Sequence, residues 1–221
     1  MTAVSTKAQK GIGMEGALAR WYAGNTRKSL GEYQALARRI AGEIAPGSSV
    51  LEVAPGPGFV AVELARLGDY HVTGLDISQT FVELARRNAA EARVNVDFRQ
   101  GNASAMPFED NEFDFVLCRA AFKNFADPVA ALREMHRVLK PGGRALIIDL
   151  LRDTPMSAIR QAVSQMGLGP VNRAITRFVF RTVLLKRAYT KGQFEALVAQ
   201  TAFHNVSYRT GLIEIEVDLH K

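Results

Sequence analysis

One cysteine, Cys118, stands in a chain of 221 residues. That excludes an internal disulfide framework and a cysteine-built structural zinc site. No apolar run approaches the roughly 20 residues that span a bilayer, so no transmembrane helix is expected. Met1 to Gly13 is polar and lacks the apolar centre of a secretory signal, and it reads as a frayed tail in a protein of the reducing cytoplasm. Histidines number four: His71 and His204 open strands, His136 lies on an expected surface helix, and His220 is near the end. None is assigned chemistry, and no metal is expected. There is no internal repeat and no low-complexity segment.

What is present is ordinary in bulk and uneven in detail. With 48% hydrophobic and 23% charged residues, the composition is that of a globular protein, and the length is that of one domain with a small cap. The net charge of +6 is concentrated. Between Leu151 and Lys191 stand Arg152, Arg160, Arg173, Arg177, Arg181, Lys186, Arg187 and Lys191 against Asp153 alone, so this segment carries +7 and the remainder −1. An electrostatic partner is expected there.

The chain is organised around Val50-Leu51-Glu52-Val53-Ala54-Pro55-Gly56-Pro57-Gly58. Apolar residues flank an acid, a glycine-proline turn follows, and Phe59 to Leu67 is apolar at helical spacing up to Gly68. The pattern is buried strand, tight turn, helix. Glycines let the backbone approach a ligand, and a helix N-terminus favours electron-rich groups. His71 to Asp76 is a second strand ending in an acid placed for a ribose. A nucleotide-like cofactor at the carboxyl ends of a parallel sheet is the expectation.

In order, a short helix spans Met14 to Asn25. A second runs to about Ile44, with Ser29 and Glu32 in a capping-box arrangement. Ser78 caps a helix from Gln79 to Ala92. Val94 to Phe98 is a strand, Gly101 to Asn111 a loop, and Phe113 to Cys118 the fourth strand. Asp127-Pro128 starts a helix that Lys140-Pro141-Gly142-Gly143 stops, and Arg144 to Leu150 is the fifth strand. Thr154 to Ala188 is mainly helical, interrupted at Gly167 to Pro170. Thr190 caps a helix from Lys191 to Ala202. Asn205 to Arg209 and Leu212 to Leu219 are antiparallel neighbours, because only Thr210-Gly211 joins them. The fold class is therefore α/β, doubly wound and Rossmann-like. Its seven-stranded sheet is mostly parallel with an antiparallel C-terminal strand, and N-terminal helices and a helical lid complete it. The expected division is a cap over 1–45, a cofactor core over 46–150, a basic lid over 151–191, and 192–221 completing the core.

Gly56-Pro57-Gly58-Phe59-Val60-Ala61 satisfies the dinucleotide pattern G-x-G-x-x-[GA], with Asp76 at the right distance for an NAD(P)-dependent oxidoreductase. That signal alone is weak. Glu52 lies inside the first strand where it can reach an ammonium, no second domain remains to hold a hydride partner, and the sheet ends antiparallel. Further ordered motifs are Gly74-Leu75-Asp76-Ile77-Ser78, Gly101-Asn102-Ala103-Ser104-Ala105-Met106-Pro107-Phe108, Phe113-Asp114-Phe115-Val116 and Arg137-Val138-Leu139-Lys140-Pro141-Gly142-Gly143. Over about residues 46 to 150, this set resembles the class I S-adenosylmethionine-dependent methyltransferases of the small single-domain type related to quinone-biosynthesis enzymes.

The resemblance implies S-adenosyl-L-methionine as cofactor and S-adenosyl-L-homocysteine as product. Glu52 would meet the methionine ammonium, Gly56 and Gly58 its chain, and Asp76 both ribose hydroxyls. Ile77 would pack on the adenine, Asn102 would face its amino group, and Ala103 would offer an N–H to the ring. The backbone of Arg119 would contact the amino-acid end. Two positions depart from the family pattern: Ala54 where glycine is usual, and Asn102 where aspartate is common. Asn keeps an acceptor oxygen. Tyr22 is placed to line the site beside a sulfonium, Trp21 to pack in the core, and Cys118 to be a buried thiol beside the cofactor.

For the acceptor, Lys123 and Asn124 in the loop after the fourth strand are candidates, with Lys123 read either as a substrate contact or as a solvated loop residue. Phe178 is a candidate from the lid. Residues 172–188 interleave apolar residues with arginines, and three readings stay open: a substrate lid, an interfacial helix drawn to anionic lipid, or a dimer surface. Few aromatics for base stacking stand there, so no nucleic acid is expected. Methyl transfer is an in-line displacement that needs a positioned acceptor and exclusion of water. No evident general base stands at the pocket edge, which fits an apolar or anionic small molecule that is already nucleophilic. The alternatives are the oxidoreductase and a non-catalytic cofactor-binding module.

Overall fold

The computed structural model describes residues 10, 13–167 and 169–221, apart from the side chain of Lys28. The expected frayed tail falls mostly outside the described residues, as does Leu168 within the expected lid interruption. Lys10 is held, its N–H donating to the Asn124 carbonyl and its ammonium to the Tyr189 hydroxyl.

Helices α1 (Gly16–Thr26) and α2 (Leu30–Ala41) are joined by a tight turn at Arg27–Ser29. Then come β1 (Ser49–Val53), α3 (Phe59–Ala65), β2 (His71–Asp76), α4 (Gln79–Ala92), β3 (Asp97–Gln100) and β4 (Phe113–Arg119). A turn at Phe122–Asn124 leads to α5 (Pro128–Val138) and β5 (Leu139–Leu150). The helical segment is α6 (Met156–Gln165), α7 (Pro170–Val179), a wide turn at Phe180–Leu184 and the one-turn α8 (Leu185–Arg187). Helix α9 (Lys191–Val198), β6 (His204–Thr210) and β7 (Glu214–His220) end the chain.

The strand order is β3-β2-β1-β4-β5-β7-β6. Strands β1 to β5 pair in parallel, while β7 runs antiparallel to both β5 and β6. The winding reverses between β1 and β4, which makes their carboxyl ends the topological switch point where ligands of open α/β sheets bind. Alternation along β1 divides the core. Leu51 and Val53 face a layer with Leu132, Met135 and Phe194 of α5 and α9, and Val50 faces one with Ile40, Val60 and Val82 of α2, α3 and α4. Glu52 shares the Val50 side by the two-residue period of a strand.

Several boundaries differ from the sequence reading for identifiable reasons. Ser29 makes no side-chain cap, because the backbone runs on from the preceding turn into α2 and leaves Glu32 to pair with Arg119 at 3.4 Å. Strand β3 begins at Asp97 because Arg93 adopts φ 56° and Val94 donates back to Ala89, so the helix end consumes those residues. The Lys140–Gly143 stretch opens β5 as a bulge opposite Phe113–Phe115. Gly142 at φ 78° and the exchange of Gly142 and Gly143 hydrogen bonds with Lys221 permit it. Trp21 is 66% exposed rather than packed, since Ala19 and Ala23 take the inner face of α1. His136 is half-buried, edge-on to Phe203, and burial pushes its pKa down.

Candidate active site

The glycine turn joins β1 to α3 and places two acids side by side. Asp76, at the carboxyl end of β2, accepts from the Gly56 N–H at 2.9 Å through Oδ2 and from the Ser78 N–H at 2.9 Å through Oδ1. Glu52 accepts from the Ala61 N–H in the first turn of α3 at 2.9 Å. Both carboxyls are buried. Burial pushes Glu52 up to about 8, against the pull of the Ala61 N–H and the Arg119 charge. Burial likewise raises Asp76 to about 6, although backbone N–H groups favour its ionised form.

The two glycines of the turn have separate jobs. Gly56 lies at φ 57°, and a Cβ built there meets nothing within 4 Å, so the space over the turn stays open. Gly58 lies at φ 76°, and a Cβ there would stand 2.6 Å from Phe98 Cζ and 2.8 Å from Ala85 Cβ. It lets α3 approach the sheet closely, a packing role beside the ligand contact expected of it. Ala54 holds φ 55° with a Cβ and donates to the Leu75 carbonyl at 2.7 Å.

The N-terminal segment closes one flank. Ser78 caps α4 by accepting from Phe81 N–H, while its hydroxyl donates to the Met14 carbonyl. Glu15 adds a charge to the same helix start, accepting from the Gln79 and Thr80 N–H groups and from the Thr80 hydroxyl. Tyr22 packs edge-on to Phe81. Its phenol is raised by burial and feels Tyr33, Arg119, Asp149 and Asp76, so it lies among the site's charges as a neutral ring. Arg119, at the end of β4, stacks 4.8 Å from the centre of the Tyr33 ring.

Ile77 is half-buried, its carbonyl taking the Gln100 side-chain amide. Asn102 spends its Oδ1 on the Ser104 N–H at 2.9 Å, which shapes the turn carrying Ala103. Arg137 donates to the Met106 and Phe108 carbonyls and pairs with Glu134 and Asp110, while Glu134 accepts from the Met106 N–H. These two α5 residues clamp the loop, and nothing in the local pattern marked them for it. Cys118 is buried as expected, and burial raises its thiol well above the usual value.

The acceptor candidates fare differently. Lys123 is no solvated loop residue. Its ammonium is buried against Asp149 at 2.8 Å and donates to the Ala120 carbonyl, while its N–H donates to Asp149 at 2.8 Å. Asn124 is half-buried and uses its carbonyl to hold Lys10. Phe178 is 67% exposed on α7 rather than brought over the sheet edge, because Phe180 takes the buried position in the turn beyond it. The sequence reading gave no site role to Asp149, Glu214, Glu32 or Tyr33, which gather near Arg119 at the carboxyl edge from elements far apart in the chain. The surface depressions among Arg27, Phe59, Glu63 and Glu91 and among Arg20, Glu83 and Arg87 lie on the outer helices and contain none of the expected site residues.

Residues 51–147, which carry both acids, the glycine turn and Arg119, match the family described as methyltransferase domain. This stretch, somewhat under half of the chain, is thus similar to methyltransferase domains. A demethylmenaquinone methyltransferase of Deinococcus radiodurans is 37% identical over 118 residues, 53% of this chain and 48% of that protein. One of Chlorobaculum parvum is 38% identical over 159 residues, 71% of this chain and 58% of that protein. The chain thus spans about half the length of these curated relatives. A solved structure from Methanococcus maripaludis, described as an S-adenosyl-L-methionine-dependent methyltransferase, matches this fold with a TM-score of 0.76 at 20% identity. It covers 96% of this chain and 95% of that one.

The residues at the glycine turn fit an S-adenosyl-L-methionine cofactor on physical grounds. Glu52 is a buried carboxyl group with a hydrogen bond from one backbone N–H and no cation bonded to it among the described residues, and an ammonium is what would complete it as a carboxylate. Beside it, Gly56 leaves room for a ligand chain, and Asp76 stands one strand away with its carboxylate at the sheet edge.

Proposed function

We propose that the protein transfers a methyl group from S-adenosyl-L-methionine to a small apolar or anionic acceptor. The observation that carries this is two buried acids, Glu52 and Asp76, flanking an open glycine turn inside the segment that matches methyltransferase domains. When bound, the cofactor supplies an electrophilic methyl on sulfur. Glu52 holds the ammonium, Asp76 the ribose hydroxyls, Ile77 and the Asn102–Ala103 turn the adenine, and Arg119 orients the amino-acid end beside Tyr22.

The acceptor side is built for placement. Tyr22 stays protonated and presents a hydrogen bond and an aromatic face. Asp149 is tied up by Lys123, so it is poorly placed to take a proton. The acceptor then arrives with its own nucleophilicity, as a thiolate, phenolate, amine or enolate, and is held about 3–3.5 Å from the methyl with water excluded. The relatives named for demethylmenaquinone make a quinone-type, membrane-dissolved acceptor the favoured class, and contact of residues 172–188 with a membrane surface would bring the site to it. In this reading 1–45 is a cap, 151–191 a lid-like insertion on the 46–150 core that 192–221 completes, and the compartment is the cytoplasm. Among the described residues no helix is long and apolar enough to cross a membrane.

Calorimetry with S-adenosyl-L-homocysteine tests the cofactor assignment. Asp76→Ala should weaken binding by about 1–3 kcal/mol, and NADH should give no heat. Unchanged affinity in the variant, or tight NADH binding, would move the cofactor elsewhere.

A further inference from the structure

Helix α7 has no buried residue. Val171, Ile175 and Phe178 follow the i, i+4, i+7 spacing that puts side chains on one helical face, and they are 72%, 56% and 67% exposed. The buried Phe180, half a turn past Phe178, anchors the segment on Ile159 and Val163 of α6. The apolar ridge therefore faces away from the protein. Val179 and Val183, just beyond it, are further exposed apolar side chains, as is Met166 at the end of α6.

Around the ridge the charge is of one sign. Arg160, Arg173, Arg177, Arg181, Lys186 and Arg187 have no acidic partner among the described residues. Elsewhere Arg39, Arg66, Arg99, Arg119, Arg137, Arg144 and Arg209 each pair with a carboxylate, while others such as Arg38 and Arg87 do not. What sets this segment apart is that eight basic residues there face one acid. An apolar ridge within an uncompensated cationic field matches the interface of an anionic bilayer, which offers acyl chains and phosphates at adjacent depths. A second copy of this chain is a poor occupant, since two segments of +7 would face each other across a narrow contact.

We propose that α7 docks the protein on an anionic lipid surface, with Val171, Ile175 and Phe178 entering the acyl boundary and the surrounding arginines and lysines meeting the phosphates. For its purpose this rests on the apolar-acceptor reading, but lipid binding itself needs neither cofactor nor acceptor, so either reading can fail alone.

The test is flotation of the full chain with vesicles of phosphatidylcholine, with and without phosphatidylglycerol. The protein should float with the anionic vesicles and stay below with the neutral ones, and molar salt should weaken the binding. Phe178→Asp should lower the partition constant about tenfold or more with an unchanged melting temperature, and Val171→Asp serves if that variant proves unstable. No flotation with anionic vesicles overturns the proposal, as does full flotation of both variants. A concentration-dependent dimer that Phe178→Asp dissolves, without vesicle binding, would assign the ridge to a second copy instead.

Discussion

Glu52 is the residue whose physics is most exposed to test. Its folded pKa of about 8 lies above the ordinary carboxylate value near 4.3, so the folded protein holds a proton that the unfolded chain has released. Its contribution to stability is therefore fully present below about pH 4.3 and is lost as pH rises to about 8. An ammonium in the site reverses the preference, because it favours the carboxylate. Affinity for S-adenosyl-L-homocysteine should rise with pH between 6 and 8, by at most about tenfold per unit, and Glu52→Gln should flatten that rise. A flat profile in the native protein would remove Glu52 from the ammonium site. Ala54 offers a second check: with φ at 55° it bears a left-handed backbone with a Cβ, so Ala54→Gly should raise stability by about 1 kcal/mol in denaturant titration. Gly58→Ala should lower it, because Phe98 and Ala85 occupy the space its Cβ would need.

Among the elements, the loop after β4 is held by the Lys123–Asp149 pair, with both side chains almost wholly buried. Lys123→Met leaves a buried carboxylate without its cation and should cost about 3–5 kcal/mol in chemical unfolding. Adding Asp149→Asn should recover part of it, and additive losses would show that the two do not act as a pair. This pair also marks the limit of what the sequence could tell. The β1–turn–α3 unit, the Ser78 and Thr190 caps and the seven strands were legible because hydrophobic period and capping residues are local signals. Lys123 and Asp149 are 26 residues apart and meet only because β4 and β5 are neighbours, so no spacing rule announced them. The Ser29–Glu32 box was misread for a related reason. Its local pattern was right, but continuity with the preceding turn and the distant Arg119 took both partners. Trp21 was placed inside as the default for a helix folding over the site, while two alanines of α1 did the packing.

At the scale of the molecule, the sheet brings two acids and a glycine turn to the switch point, the half-buried Tyr22 of α1 lies among their charges, and an amphipathic basic segment carries an outward ridge. The first part was readable because its motifs come in order along the chain. The second was readable as charge, but its direction was not: only the buried Phe180 shows that the ridge faces outward. Methyl transfer to an apolar acceptor can be read directly from where the label goes. The protein, incubated with methyl-labelled S-adenosyl-L-methionine and a membrane-containing extract, should place label in the organic phase. Asp76→Ala should remove most of it at limiting cofactor. Label confined to the aqueous phase would contradict the apolar acceptor, and no transfer by a protein that binds the cofactor would contradict catalysis itself.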